Sequence, residues 1–221
     1  MIFRKLCMVL SIIAGISGVL SQDLGRPKLK VSIIYEALCS DSIEFFAHQL
    51  GPNYDVLKDY IDVTMIPFSK SLSVNHMLKF VCQHGPEECK GNRQQLCVMN
   101  QSYDQVVQTK FVLCQMGQKN ITDIEECTKA LGLSSNITAC MEGDEGNHLQ
   151  LQAERVTFVY QPQFLPTIIY DGIFNQQLQD NSIKDFLGTV CHVFQLRGDL
   201  IPLSGVCHYP VVCLTCSVFA Y

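Results

Sequence analysis

The chain has 221 residues, 48% of them hydrophobic, with a formal net charge of −5 and no lysine or arginine cluster. That acidic balance argues against a nucleic-acid partner, and without a glycine-rich phosphate loop, internal repeat or low-complexity segment no nucleotide cofactor is expected. Cysteine is the unusual component, with twelve in the chain.

Residues 1–21 have the layout of a signal peptide: Arg4 and Lys5, an apolar core from Leu6 to Leu20, and small residues around Val19 and Ser21. Cleavage near Gln22 is expected. The apolar run is short for a membrane span and is weakened by Gly15, Ser17 and Gly18, so no stable membrane anchor should remain. The chain beyond this leader is long enough for one domain, or one domain with an inserted subdomain. Losing Cys7 with the leader leaves eleven cysteines, an odd number. The secretory route permits disulfides, and the sequons at Asn100, Asn120 and Asn136 agree with a glycosylated, lumenal or extracellular protein.

Val31 to Leu50 is the stretch around which the chain is organised. Val31, Ile33, Ile34 and Tyr35 have the composition of a buried strand, and Ile43, Phe46, Ala47 and Leu50 then recur at helical spacing. Cys39 falls at the join. At the start of a helix, free backbone N–H groups and the positive dipole end favour a thiolate, so Cys39 is a candidate nucleophile. The tetrad reads Cys39-Ser40-Asp41-Ser42, with a hydroxyl where a dithiol motif would carry its resolving cysteine. If Cys39 is the free thiol, the other ten cysteines can all pair. Gly51-Pro52-Asn53 reads as a turn and Ile61, Val63 and Met65 as a second strand, which together open a parallel βαβ unit. His76 to Cys82 suggests a further extended piece.

The densest motif runs from Cys82 to Cys97. Three cysteines and His84 in sixteen residues raise the question of zinc, but the gaps are not paired as C-x-x-C and an oxidising compartment consumes such thiols as disulfides, so no metal is expected. Pro86 followed by Glu87 and Glu88 suits a helix start, which would place Cys89 and Cys97 on that helix. At Cys82, Gln83, His84, Gly85, Glu88, Cys89, Asn92 and Cys97 the segment resembles the signature of the gamma-interferon-inducible lysosomal thiol reductase (GILT) family, C-Q-H-G-x-x-E-C-x-x-N-x-x-x-x-C. Tyr35-Glu36-Ala37-Leu38-Cys39 is similar to that family's lead-in to its redox site, and the resemblance extends from about Lys30 to Cys207.

The resemblance implies an α/β, thioredoxin-like fold with an inserted, disulfide-stapled helical subdomain at about 84–155, the whole domain spanning 22–207 and a tail 208–221. It also implies a secreted or lysosomal thiol–disulfide oxidoreductase that acts on disulfides of partly unfolded proteins, with a part in immune defence. No cofactor is implied beyond a small thiol such as glutathione or cysteine as reductant. The chain departs from the family's C-x-x-C at Ser42. Three outcomes stay open: a monothiol mechanism through Cys39, a redox-inactive, polypeptide-binding glycoprotein, or a disulfide-rich binding protein whose Cys39 pairs elsewhere.

Between Gln101 and Glu154 the pattern is helical, with Cys114, Cys127 and Cys140 in short helices. Val156 to Tyr160 is either a strand or the end of a helix. Leu165-Pro166-Thr167 precedes the strand Ile168-Ile169-Tyr170, where the resemblance places a cis-proline, Pro166, facing the reactive sulfur. Asp171-Gly172 is a hairpin signal, and Ile183, Phe186, Leu187 and Val190 suggest one closing helix that carries Cys191. Cys213 and Cys216 follow no strand and open no helix, so they read as structural or tail cysteines rather than a second dithiol.

Overall fold

The computed structural model describes residues 27–75, 79–101, 104–133, 136–199 and 206–207. The expected signal peptide and the tail with Cys213 and Cys216 lie outside these.

The first strand, β1 (Leu29–Tyr35), is the centre of a three-stranded sheet of order β2-β1-β5. It pairs in parallel with β2 (Ile61–Pro67), Val31 opposite Val63, and antiparallel with β5 (Thr167–Tyr170), Val31 opposite Tyr170. Parallel neighbours need a crossover, here a continuous helical run: α1 (Ser40–Phe45), a π-helical segment (Phe46–Leu50) and α2 (Gly51–Leu57). β3 (Leu72–Val74) and β4 (Lys79–Val81) form a separate antiparallel pair.

The turn expected at Gly51-Pro52-Asn53 is therefore not there. Proline is tolerated in the first turn of a helix, where its missing N–H costs little, and the π-helical segment lets helical backbone run on into α2. Glycine is needed at 51 for packing: a Cβ would lie 2.8 Å from the Phe46 carbonyl and 3.2 Å from the Leu113 side chain.

The helical insertion comprises α3 (Pro86–Gln101), α4 (Gln105–Met116), α5 (Glu125–Ala130), α6 (Asn136–Glu142) and α7 (Asp144–Tyr160). Val156 to Tyr160 is thus the end of a helix. Cys97–Cys140 ties α3 to α6 and Cys114–Cys127 ties α4 to α5, so the insertion is stapled within itself. Beyond β5, α8 (Gln176–Lys184) and α9 (Phe186–Leu196) replace the single closing helix the apolar spacing suggests. Asp185 breaks it: its backbone leaves the helical region at φ −152° and its carboxylate caps α9 by accepting from Gly188 N at 2.9 Å. Cys191–Cys207 pins α9 to the chain beyond it.

Successive residues of a strand face opposite sides of the sheet, and the core divides accordingly. Leu29, Val31, Ile33 and Tyr35 enter the main cluster with Phe45, Phe46, Tyr54, Phe111, Phe186 and Val190. Ile34, Ile66 and Ile169 face a smaller cluster with Cys39, Phe68, Cys82, Ala153 and Leu165. The candidate nucleophile thus sits in the thin layer, near the end of the central strand.

Candidate active site

β1 ends in Tyr35, and the chain turns through Glu36, Ala37 and Leu38 into Cys39, the N-cap of α1. Cys39 has extended backbone (φ −68°, ψ 121°), donates its N–H to Glu36 O at 3.2 Å and accepts from Ile43 N at 2.9 Å. Its side chain makes no capping bond and is 9% exposed, and it is the free cysteine among the described residues. Ser42 lies one turn on. Its side chain is fully buried and its hydroxyl has no hydrogen-bond partner.

Sequence reasoning missed Glu36. Its carboxylate is completely buried, and Oε1 accepts from Ser69 N (2.7 Å), Lys70 N (2.8 Å) and Ser71 Oγ (2.8 Å). Oε2 accepts from Asn92 Nδ2 at 2.5 Å, while Asn92 Oδ1 accepts from Ala37 N at 2.9 Å. Burial pushes the Glu36 carboxyl up from its ordinary value, the negative charge of Glu88 adds to the rise, and the bonds from Asn92, Ser69 and Ser71 oppose it. Beside it, burial and the Glu36 charge raise the Tyr35 phenol well above its usual value; its hydroxyl donates to Gln95 Oε1 at 2.8 Å. An acid at the end of an apolar strand is the one signal the sequence offered for this network.

The eight signature residues form a single junction. Cys82 and Cys89 are joined as a disulfide, so their sulfurs are closed to metal ligation. Gly85 takes φ +87°, a left-handed turn that side chains disfavour, and its N–H donates to Cys82 O at 3.1 Å. Glu88, fully buried in the first turn of α3, reaches back to accept from His84 N (2.8 Å) and to meet His84 Nδ1 at 2.6 Å. Gln83 is exposed on the turn. Cys97 staples the far side of the helix, and Asn92, also fully buried, points to the loop that carries Cys39.

The Leu165–Pro166 peptide bond is cis. Pro166 lines a cavity of about 350 Å³ with Asp41 of α1, Phe164, Gln176, Gln179 and Asp180, so the proline loop and the start of α1 share one opening. Buried Gln179, also missed by sequence reasoning, fixes that loop by donating to Pro166 O at 2.9 Å and accepting from Ile168 N at 2.7 Å. Of the sequon asparagines, Asn100 and Asn120 are exposed; Asn100 donates to Glu145 Oε1 at 2.7 Å and Asn120 accepts from Thr122 Oγ1 at 2.9 Å. Asn136 opens α6.

Residues 30–131 match the family model of gamma interferon inducible lysosomal thiol reductase (GILT). GILT-like protein 1 of Drosophila melanogaster is 31% identical over 186 residues, covering 74% of this chain and 74% of its own. The gamma-interferon-inducible lysosomal thiol reductase of Carassius auratus is 27% identical, covering 83% of this chain and 76% of its own. Among solved structures, DsbA of Pseudomonas aeruginosa superposes with a TM-score of 0.52 at 12% identity, covering 79% of this chain and 90% of that one. The oxidoreductase DsbA of Xylella fastidiosa gives a TM-score of 0.50 at 14% identity, covering 76% and 87%. The fold is thioredoxin-like, of the DsbA type with a helical insert.

Proposed function

Because the chain belongs to the gamma-interferon-inducible lysosomal thiol reductase family, whose members are thiol reductases, we propose that it reduces disulfides of partly unfolded protein substrates through a single attacking thiol, Cys39. The observation that carries this reading is the setting of Cys39: a free cysteine at a helix N-cap, in one apolar cluster with Leu165 and two residues before Asp41, which lines the opening shared with the Pro166 loop. The Cys39 thiolate attacks one sulfur of a substrate disulfide, forming a mixed disulfide and expelling the other substrate sulfur as a thiol. Ser42 has no sulfur with which to resolve that adduct. A second thiol, from glutathione or cysteine, then attacks the Cys39 sulfur, releasing the reduced substrate and leaving a bond that a further thiol breaks.

The substrate strand would lie along the Pro166 loop, whose backbone Gln179 holds in place. A role in immune defence, a lysosomal or extracellular destination and glycans on Asn100, Asn120 and Asn136 belong to the same reading, as do removal of residues 1–21 and a mature domain of 22–207. No helix among the described residues is long and apolar enough to cross a membrane.

The test is reduction of a protein disulfide by the mature protein at acid and neutral pH, with and without a small thiol, beside Cys39→Ser and Ser42→Cys. Thiol-dependent turnover that vanishes in Cys39→Ser is the expected result. No turnover in the wild type, restored by Ser42→Cys, would instead make this chain a polypeptide binder on an intact scaffold.

A further inference from the structure

Building on Cys39 as the attacking thiol, we propose that the Cys82–Cys89 disulfide is its redox partner and performs the resolving step that Ser42 cannot. The two sites share one layer of the fold. Cys39 and Cys82 are 9% and 6% exposed members of the same small apolar cluster, and Cys89 packs against it. Of the other three disulfides among the described residues, Cys97, Cys140, Cys127, Cys191 and Cys207 belong to the main cluster on the opposite face of the sheet, and Cys114 packs against it. The helix that carries Cys89 also approaches the Cys39 loop closely: a Cβ at Gly91 would lie 3.3 Å from the Ala37 Cβ, and the next residue, Asn92, holds Ala37 N. The Cys82–Cys89 loop, with a sequence separation of 7 against 13, 16 and 43, constrains the unfolded chain least of the four.

This disulfide has its own access to solvent. Cys89 lines a cavity of about 680 Å³ with Lys79, Lys90, Arg93 and Glu142, a volume in the range of small-molecule sites. The Arg93 guanidinium donates to Gln150 Oε1, Met141 O and Asn147 Oδ1, all neutral acceptors, and it forms no ion pair among the described residues, so with Lys79 and Lys90 it outweighs the single carboxylate of Glu142 in this lining. A small anionic thiol of the glutathione class suits such a lining.

The cycle balances with that reductant. Two small thiols reduce Cys82–Cys89 to a dithiol, the first bonding to Cys89 and the second displacing it to leave as the oxidised dimer. Cys39 attacks the substrate disulfide and frees one substrate thiol. The Cys82 thiolate then attacks the Cys39 sulfur, which breaks the mixed disulfide and frees the second substrate thiol. Finally Cys89 attacks Cys82, reforming Cys82–Cys89 and returning Cys39 as a thiol. Net, one substrate disulfide is reduced and one small-thiol disulfide is formed.

In Cys89→Ser the sequence should stop at the Cys39–Cys82 bond. The purified variant, incubated with a protein disulfide and no small thiol, is quenched in acid, alkylated and peptide-mapped. A Cys39–Cys82 bridge in most molecules, with reduced substrate released, is expected; Cys82 alkylated while Cys39 holds the substrate overturns the proposal. In a second measurement that needs no variant, the wild-type chain is equilibrated across a graded ratio of reduced to oxidised glutathione. Cys82–Cys89 should open as a two-thiol couple while Cys97–Cys140 and Cys114–Cys127 stay closed; opening of all together, or of none, overturns it. Thiol-driven turnover should fall about tenfold or more in Cys82→Ala/Cys89→Ala, where only intermolecular thiols can resolve the adduct. Turnover that is unchanged there but lost in Cys39→Ser overturns this proposal and leaves the monothiol reading standing. Turnover that survives Cys39→Ser removes both.

Discussion

The carboxamide of Asn92 spans the turn that leads to Cys39, donating to the buried carboxylate of Glu36 at 2.5 Å and accepting from Ala37 N at 2.9 Å. One side chain on the first half of α3 thereby holds both the acid and the backbone from which α1 starts. Asn92→Ala leaves a buried carboxylate oxygen and a buried N–H each short of a partner, and should cost about 2–6 kcal/mol, at roughly 1–3 for each group left unsatisfied. Urea unfolding measures it, and iodoacetamide labelling of Cys39 should become faster as the turn loosens. A loss under about 1 kcal/mol would show the turn to be self-supporting.

The Glu36 carboxyl has its folded value raised, by burial first. Between the unfolded and folded values the native state binds more protons than the unfolded state, so stability falls as pH rises through that window. The contribution is fully present below the unfolded value and lost above the folded one. Unfolding free energy measured at intervals from pH 4 upward should show this slope, and Glu88→Gln, which removes a neighbouring negative charge, should move it to lower pH. A slope identical in Glu88→Gln would mean the two carboxylates do not interact.

The hydroxyl of Ser42 is buried and unpartnered. Replacing it removes a desolvated polar group without breaking a hydrogen bond, so Ser42→Ala should leave stability unchanged or raise it by about 1 kcal/mol. Ser42→Cys should fold equally well. A drop in Tm for Ser42→Ala would reveal a hydrogen bond that this hydroxyl makes in solution.

Gln179 serves the Pro166 carbonyl and the Ile168 N–H at once. Gln179→Leu strands both and should cost about 2–6 kcal/mol, at roughly 1–3 for each. If the loop receives substrate, KM for a protein disulfide should rise more than the rate of Cys39 alkylation changes. Equal effects on both would assign Gln179 to stability alone.

The Cys97–Cys140 bond closes a sequence separation of 43, the longest of the four. On the chain-entropy model its removal by paired alanines should cost about 4 kcal/mol, against about 3 for Cys114–Cys127. Thermal unfolding of the two double variants tests the order, and a larger loss for Cys114–Cys127 would point to an enthalpic origin.

Much of this arrangement was legible in the sequence. The run from Val31 to Tyr35 ahead of Cys39, and the spacing from Cys82 to Cys97, marked the central strand, the helix start at Cys39 and the junction that supports it. Glu36 was not legible because its burial depends on donors at Ser69, Lys70, Ser71 and Asn92, which come from separate segments. The same holds for Gln179, whose neighbours are recognisable only once β5 is in the sheet. Local signals misled in two places. Gly51-Pro52 looks like a turn unless helical geometry already precedes it, and Asp185 fits a helical spacing that its own cap interrupts.

β1 takes β2 as its parallel neighbour early in the chain but waits for Thr167–Tyr170 on its other edge. As the polypeptide emerges from the ribosome, α3 to α6 and their two internal bridges can therefore be complete while one edge of β1 is still bare. The Cys39 thiol spends that interval without Leu165 and Ile169, its later neighbours in the small apolar cluster. Oxidative folding must keep this one sulfur from being captured by its nascent partners, and the early closure of Cys97–Cys140 and Cys114–Cys127 removes four of the thiols that could capture it.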